Sequence, residues 1–442
     1  MTPVSAGTAP TEAPPGHAVP RVLAAVGDPG TVGDLGLHLR THGPLRLPAR
    51  RSRPEIAALL AALAASGLTG RGGAGFPLAA KVAYVREQRR RPITVVNAME
   101  GEPASLKDRV LATRAPHLVL DGADVAAAAV DAVAIVVCVP RDRPEAATAL
   151  EHAIGERERL GIAGTPVEVR RAPSRYVAGE ESALVHWVAG GDARPTFRRE
   201  RPAVLRAAGR PVLVDNAETL AHTALVARHG AAWFRLAGTP EAPGTTLVTV
   251  SGAADRPGVY EVPLGTPIRS VLASAGADRP LAGVLLGGYG GTWLPPDHLG
   301  IALAPAPLAA VGASVGAGVV AALPEGACGL AETARIARWM AGESAGQCGP
   351  CVFGLPAVAD DLHALAFDRA PAHAVERLRG RLAIVQGRGA CRHPDGVVRL
   401  VRSALAAFDA DLHRHVGRGP CDGARHPSVL PFPPRGEAGP WR

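Results

Sequence analysis

Gly70-Arg71-Gly72-Gly73-Ala74-Gly75-Phe76-Pro77, with Lys81 four residues on, is the stretch from which the chain is read outward. Four glycines within six positions let the backbone take positive φ and approach a ligand closely. A loop of this kind running into a helix offers main-chain N–H groups to an anion, usually a phosphate. The spelling fits G-x-G-x-x-G, but a dinucleotide fingerprint of that form follows a strand. Here the preceding segment, Ser52 to Ser66, reads as a helix with Ser52 as N-cap and Pro54 in the first turn. The loop is therefore expected to cradle a phosphate in another manner; the competing reading is a glycine-rich turn without a ligand.

Downstream of the loop the pattern alternates. Ile93 to Asn97 reads as a buried strand, Leu118 to Val130 as an Ala-rich helix and Val133 to Val139 as a second buried strand. Pro144 to Arg159 reads as a helix and Pro166 to Arg170 as a strand. This rhythm predicts a parallel α/β domain over residues 51–243. Near residue 244 it changes: Thr245 to Ser251 and Val259 to Val262 flank Arg256-Pro257-Gly258, a hairpin signal. A short helix from Ile268 and the tight turn Gly287 to Gly291 complete a small α+β module, residues 244–323. After Pro324 four segments have helical spacing (Leu330 to Ala341, Leu355 to Ala366, Ala372 to Val385 and Val397 to Val416), which predicts a four-helix cap over 324–416. Residues 1–50 and 417–442, rich in Pro, Gly and Arg, are expected to be partly disordered and loose respectively.

The 442 residues carry a formal charge of +8. Arginines are scattered and aromatics make up 4%, so nucleic-acid binding is not expected. Lys81 and Lys107 are the only lysines among 48 basic residues, and both fall near motifs. No signal peptide or membrane span is read, and six cysteines, three of them clustered late, fit a reducing, cytoplasmic compartment.

Asn97-Ala98-Met99-Glu100-Gly101-Glu102-Pro103 follows the first strand. Polar groups at the carboxyl end of a parallel strand sit where α/β proteins bind ligands. Two carboxylates and an amide there suit ribose hydroxyls or the polar edge of a flavin, and Lys107-Asp108-Arg109 can neutralise them or a phosphate; the bland alternative is an exposed acidic turn. Gly179-Glu180-Glu181 after Tyr176, and Asp215-Asn216-Ala217-Glu218-Thr219, are weaker candidates, since acidic and polar residues are ordinary at helix starts.

Cys348-Gly349-Pro350-Cys351 is spelled like a thioredoxin-type pair, but it lies between helices. With Cys391 and His393 it can bind structural zinc, or an iron–sulfur cluster through three thiolates and one other ligand. Cys138 is expected to pack in its strand, and Cys328 and Cys421 have no evident partner.

Together and in this order these motifs resemble the 51 kDa-type flavoprotein family of the NADH-quinone oxidoreductases, the NADH-oxidising component of respiratory complex I. That family includes the diaphorase components of NAD-linked hydrogenases and formate dehydrogenases. The resemblance covers roughly residues 66–415: GRGGAGFP with Lys81, NAMEGEP, YVAGEESAL from Tyr176, DNAETLA from Asp215, RPGVYEVPLGT and GESAGQCGPC. It implies a β-grasp SLBB module and an iron–sulfur cap. It implies that Gly70, Arg71, Gly72, Gly73 and Lys81 line an FMN phosphate and ribityl chain. Asn97, Glu100, Tyr176, Gly179, Glu180, Asp215, Asn216 and Thr219 would complete the FMN site. Phe76 and Tyr84 match positions stacking on the NADH adenine, Glu102 and Glu181 positions near its ribose and nicotinamide, and Arg198 a lysine position near the dinucleotide. Cys348, Cys351 and Cys391 match cluster ligands.

Three departures suggest a divergent paralogue. Ala345 stands where the family has a fourth cysteine, so the cluster is expected as 3Fe-4S, as 4Fe-4S with His393, Ser344 or a partner group as ligand, or as absent. Met99 replaces an aspartate, which removes negative charge near the flavin. Arg201 replaces an aromatic, which affects adenine packing or admits a 2′-phosphate. The expected function is FMN-dependent oxidation of NADH or NADPH, with no side chain acting as acid or base. Glu100, Glu102 and Glu181 would position the reactants. Electrons would pass to a ferredoxin-type, quinone-linked or complex I-like acceptor, in the cytoplasm or peripheral to a membrane complex. The alternative is a non-catalytic scaffold whose cysteine site holds zinc or nothing.

Overall fold

Strand β1 (Ile93–Asn97) is the centre of a five-stranded sheet with β2 (Ala134–Pro140), β3 (Val167–Ala172), β4 (Arg206–Ala207) and β5 (Arg210–Asn216). The order is β3-β2-β1-β5-β4; all neighbours run parallel except β4 against β5. The computed structural model describes residues 21–26, 33–49, 52–162, 164–197, 205–371, 373–433 and 440–442. Helices α1 (Leu35–His42), α2 (Arg53–Ser66), α3 (Leu78–Arg86), α4 (Lys107–Arg114), α5 (Pro116–Val130), α6 (Pro144–Arg159), α7 (Glu181–Val188) and α8 (Ala217–Phe234) surround it. Apolar runs such as Ile135 to Val139 are buried because both faces are covered. One face packs on α2, α3, α5, α6 and α8, the other on α7. Gly122 lets α5 and α8 meet, since a Cβ there would stand 1.8 Å from the Leu220 carbonyl oxygen.

Helix α2 matches the sequence expectation, although Ser52 makes no side-chain capping bond. It ends at Gly67, whose left-handed backbone (φ 70°) turns the chain toward the glycine loop.

The second sheet has the order β7-β6-β10-β8-β9, with β6 (Thr245–Gly252), β7 (Gly258–Pro263), β8 (Leu281–Leu286), β9 (Thr292–Leu294) and β10 (Val319–Pro324). The expected β6–β7 hairpin forms, and β10 lies parallel to β6 where no strand was expected. Helices α9 (Ile268–Ser274) and α10 (Pro305–Ala310) belong to this module.

The cap contains α11 (Gly329–Gly342), α12 (Leu355–Phe367), α13 (Ala374–Val385), α14 (His393–Ala407) and α15 (Asp409–Arg418). The helix expected over 397–416 is thus two. The break falls at Phe408, which leaves helical geometry (φ −115°, ψ 34°) and lies edge-on to Trp293, ring centroids 5.2 Å apart. Burying that ring against the second sheet outweighs one unbroken helix.

Within the two end segments, the described residues include anchored stretches. The main-chain N–H groups of Arg21, Val22 and Leu23 all donate to Glu261 Oε2, at 2.8–3.0 Å. At the other end Ser428 Oγ donates to Glu332, Tyr289 Oη to the Pro431 carbonyl, and Leu430 is buried. Arg175 and Arg194 lie over the Trp441 ring. Among the described residues no helix is long and apolar enough to cross a membrane.

Candidate functional site

From β1 the chain runs outward to β2 and β3, then returns to lay β5 on the other side. The crevice beyond the carboxyl ends of β1 and β5 is therefore the topological switch point, where open α/β sheets bind ligands. Asn97 ends β1, Asp215 and Asn216 end β5, and the register sets Asn97 beside Asn216. Asn216 caps α8 by accepting from the Thr219 N–H.

The glycine loop closes over this point. Gly70 N–H donates to the Phe76 carbonyl (2.8 Å), and Thr69 bridges Pro77. Gly73 and Gly75 have φ of +98° and +62°, conformations that L side chains rarely take. Arg71 N–H donates to Thr219 Oγ1 (2.8 Å), tying the loop to the start of α8, while residues 72–77 face solvent.

Lys81, on α3, reaches under the loop. Its ammonium donates to the Val214 carbonyl at 2.5 Å and lies 3.3 Å from both Asp215 Oδ1 and Glu181 Oε1. Burial alone would lower its pKa, but Asp215 and Glu181 together hold it above the ordinary lysine value, so it stays charged. Asn97 Nδ2 donates to the Gly179 carbonyl (2.8 Å), joining β1 to the Tyr176–Gly179 turn. Glu180 caps α7, accepting from Ser182 and Ala183 N–H.

Three acidic-motif expectations change. Glu100, at φ +40°, accepts from the N–H groups of Asp108 and Arg109, so its carboxylate caps α4. Lys107 is 3% exposed and pairs with Asp108 (3.1 Å) and Glu218 (3.0 Å), bracing α4 against α8. Glu102 is buried: its oxygens accept from Tyr289 N–H (2.8 Å) and Ala104 N–H (3.3 Å), and it bonds Tyr176 Oη. These bonds join the first sheet to the second. Burial raises Glu102 to about 7. Met99 is 2% exposed and packs in an apolar cluster with Val95, Cys138, Ala178 and Leu184.

Phe76 is 41% exposed at the loop edge, and Tyr84 is half-buried on α3. Arg198 and Arg201 lie outside the described residues. An aromatic missed from the sequence stands just before them: Phe197, 70% exposed, follows Thr196, whose N–H donates to Ser182 Oγ beside Glu181.

Cys348 precedes a π-helical turn, Pro350–Gly354, that carries Cys351; Cys391 precedes α14. Burial raises the Cys351 thiol, and Cys348 adds to the rise. Cys391 accepts from the His393 N–H and lies within electrostatic reach of Glu180. The Tyr176 ring packs on both Trp339 and His393, centroids 5.5 Å apart in each case. The turn carrying Tyr176 and Glu180 thus has the sheet crevice on one side and the cysteines on the other.

Family models match three consecutive parts of the chain: the Nuo51 FMN-binding domain at residues 63–224, the SLBB domain at 247–277, and the NADH-ubiquinone oxidoreductase-F iron-sulfur binding region at 331–415. The second F component of the NADH-quinone oxidoreductases of Rhizobium meliloti is 31% identical over 80% of this chain and 88% of its own length. The chain belongs to the NADH-quinone oxidoreductase F family. The F component of the Escherichia coli NADH-quinone oxidoreductase is 30% identical over 78% of this chain and 81% of its own. Among solved structures, the NAD+-reducing [NiFe]-hydrogenase in its H2-reduced state matches with TM-score 0.75 and 31% identity over 84% of this chain. The chain spans 64% of that hydrogenase chain's length.

The crevice fits the family's FMN. Its phosphate-side wall is exposed glycine backbone beside a charged lysine, and Asp215 Oδ2, at the strand end beside that lysine, is buried without a hydrogen-bond partner. The cap fits the family's cluster through three thiols. His393, whose Nε2 bonds the Met340 carbonyl, has a buried Nδ1 without a hydrogen-bond partner, and burial lowers its pKa to about 4, so it is a neutral donor.

Proposed function

We propose that the chain oxidises NADH at an FMN held in the crevice between β1 and β5, and passes electrons through a cluster on Cys348, Cys351 and Cys391. The observation that carries this is the meeting of the glycine loop, Lys81 and Asp215 at the switch point, with the cysteines directly behind the Tyr176–Glu180 turn. FMN, when bound, accepts a hydride and releases electrons singly. The chain's residues do the positioning. Backbone N–H groups of Gly72–Gly75 and the Lys81 ammonium would hold the phosphate, and Asn97, Glu180 and the Asp215–Thr219 segment would hold the flavin's polar groups. Phe76 and Tyr84 would carry the adenine and Glu181 the nicotinamide ribose; Arg198 would lie by the dinucleotide. Glu100 and Glu102 support this arrangement from behind. His393 is the proposed fourth cluster ligand in place of the cysteine lost at Ala345.

A separate electron-accepting protein of ferredoxin or complex I type would dock over Val352 and Phe353. Both are exposed on the turn that bears Cys351. The test is the anaerobically purified protein. A flavin spectrum bleached by NADH, with iron present, is expected; a colourless protein would replace this reading with the scaffold alternative. Turnover of NADH against NADPH identifies the donor.

A further inference from the structure

We propose that Cys328, His415 and Cys421 form a zinc site, separate from the cluster cysteines, that clamps the C-terminal segment to the cap. Their ligand atoms all lie within 4.8 Å of one another. Cys328 Sγ and His415 Nε2 are 3.7 Å apart. Zinc binds sulfur at about 2.3 Å and nitrogen at about 2.0 Å. At the tetrahedral angle those bonds place the two atoms about 3.5 Å apart, close to the spacing found here.

The side chains are prepared for this. His415 is 1% exposed, and its Nδ1–H donates to the Leu365 carbonyl (3.0 Å), which leaves Nε2 as the unprotonated nitrogen facing Cys328. Cys328 is the N-cap of α11, where the helix N-terminus favours a thiolate. His415 Nε2 also accepts from the Cys421 N–H (3.1 Å); zinc would replace that bond by a stronger one, with Gly419 (φ 88°) as the point of adjustment. The three described ligands leave a fourth position for water.

The site is not part of the cluster region. Cys328 starts α11 and Cys348 follows its end, so about 20 Å of helix separates them. Cys328 lies far in sequence from the other two ligands, and Cys421 opens the segment whose Ser428 and Pro431 bond Glu332 and Tyr289. A cation here therefore fastens the chain's end across α11, α12 and α15.

The experiment compares the full-length protein with Cys421→Ser and with the Cys328→Ala/Cys421→Ser pair. Each is purified under reducing, anaerobic conditions and measured for zinc, iron and melting temperature. The expected result is about one zinc per wild-type chain, loss of at least ten-fold in zinc affinity in both variants, and unchanged iron and flavin content. Cobalt(II) added to stripped wild type should give a thiolate charge-transfer band that the pair variant lacks. Absence of stoichiometric zinc binding, zinc retained by both variants, or a Cys328–Cys421 disulfide in the native protein overturns the proposal. Because iron and flavin are measured separately, failure here is distinct from failure of the redox reading.

Discussion

The main-chain N–H of Tyr289 donates to the carboxylate of Glu102 at 2.8 Å, across the boundary between the two sheets. Gly288 is required beside it, because a Cβ there would stand 2.5 Å from Glu102 Oε2. Burial holds this carboxyl at about 7, above the ordinary value of 4.5. The folded state therefore binds the proton more tightly than the unfolded state, and stability is lost as pH rises from 4.5 through 7.

Glu102→Gln is expected to remove that loss. Thermal or urea unfolding across pH 5 to 8 should show a flatter profile, with the variant gaining on the wild type toward pH 8 by up to about 3 kcal/mol. A variant that follows the wild-type slope would exclude Glu102 as the titrating group.

Lys81→Met should lower FMN affinity at least ten-fold, about 1.4 kcal/mol, read by flavin fluorescence on release. It also leaves Asp215 buried beside an uncompensated site. Adding Asp215→Asn should recover melting temperature without recovering FMN affinity.

Lys107→Met tests the opposite assignment. Removing one partner from a buried charge set costs about 3–5 kcal/mol, so a large drop in melting temperature is expected. Flavin affinity of the folded fraction should stay within about two-fold, since Lys107 faces Asp108 and Glu218. The reverse pattern would return it to the phosphate.

Phe76→Ala should raise the KM for NADH about ten-fold, the worth of one stacking contact, and leave stability within about 0.5 kcal/mol because the ring is exposed. A change in kcat alone would place the ring elsewhere.

Ala345→Cys should restore a fourth thiolate. The expected outcome is unchanged iron per chain but slower loss of the cluster in air, with iron kept when His393 is changed to Ala in this background and lost when His393 alone is changed. Iron lost on changing His393 in both backgrounds would mean that residue 345 lies out of reach.

Strands β1, β2 and β3, the hairpin and most helices were legible because their apolar runs and turn residues speak locally, whereas β5, parallel to β1, was not read. Strand β10 was not, since Val319 to Pro324 pairs with β6 and β8, far away in sequence. The break at Phe408 was hidden for a similar reason: its cause is Trp293, not a helix-breaking residue. At the site, Lys81 stood out through residue scarcity, whereas Asp215 was only a weak candidate because the strand it ends was not read. The duties of Glu100, Glu102 and Lys107 did not, because identical side chains can face a ligand or a neighbouring helix, and only packing decides. Cys328 and Cys421 stood alone in the sequence until folding set His415 between them.

Tyr176 to Glu181 has a consequence for how the molecule tolerates motion. One end of this short run is bonded to Asn97, and the other part touches Trp339, His393 and the surroundings of Cys391. On the proposed function, the run acts as a ruler between the flavin crevice and the cluster cysteines. Lengthening this stretch by a single residue would alter that spacing directly.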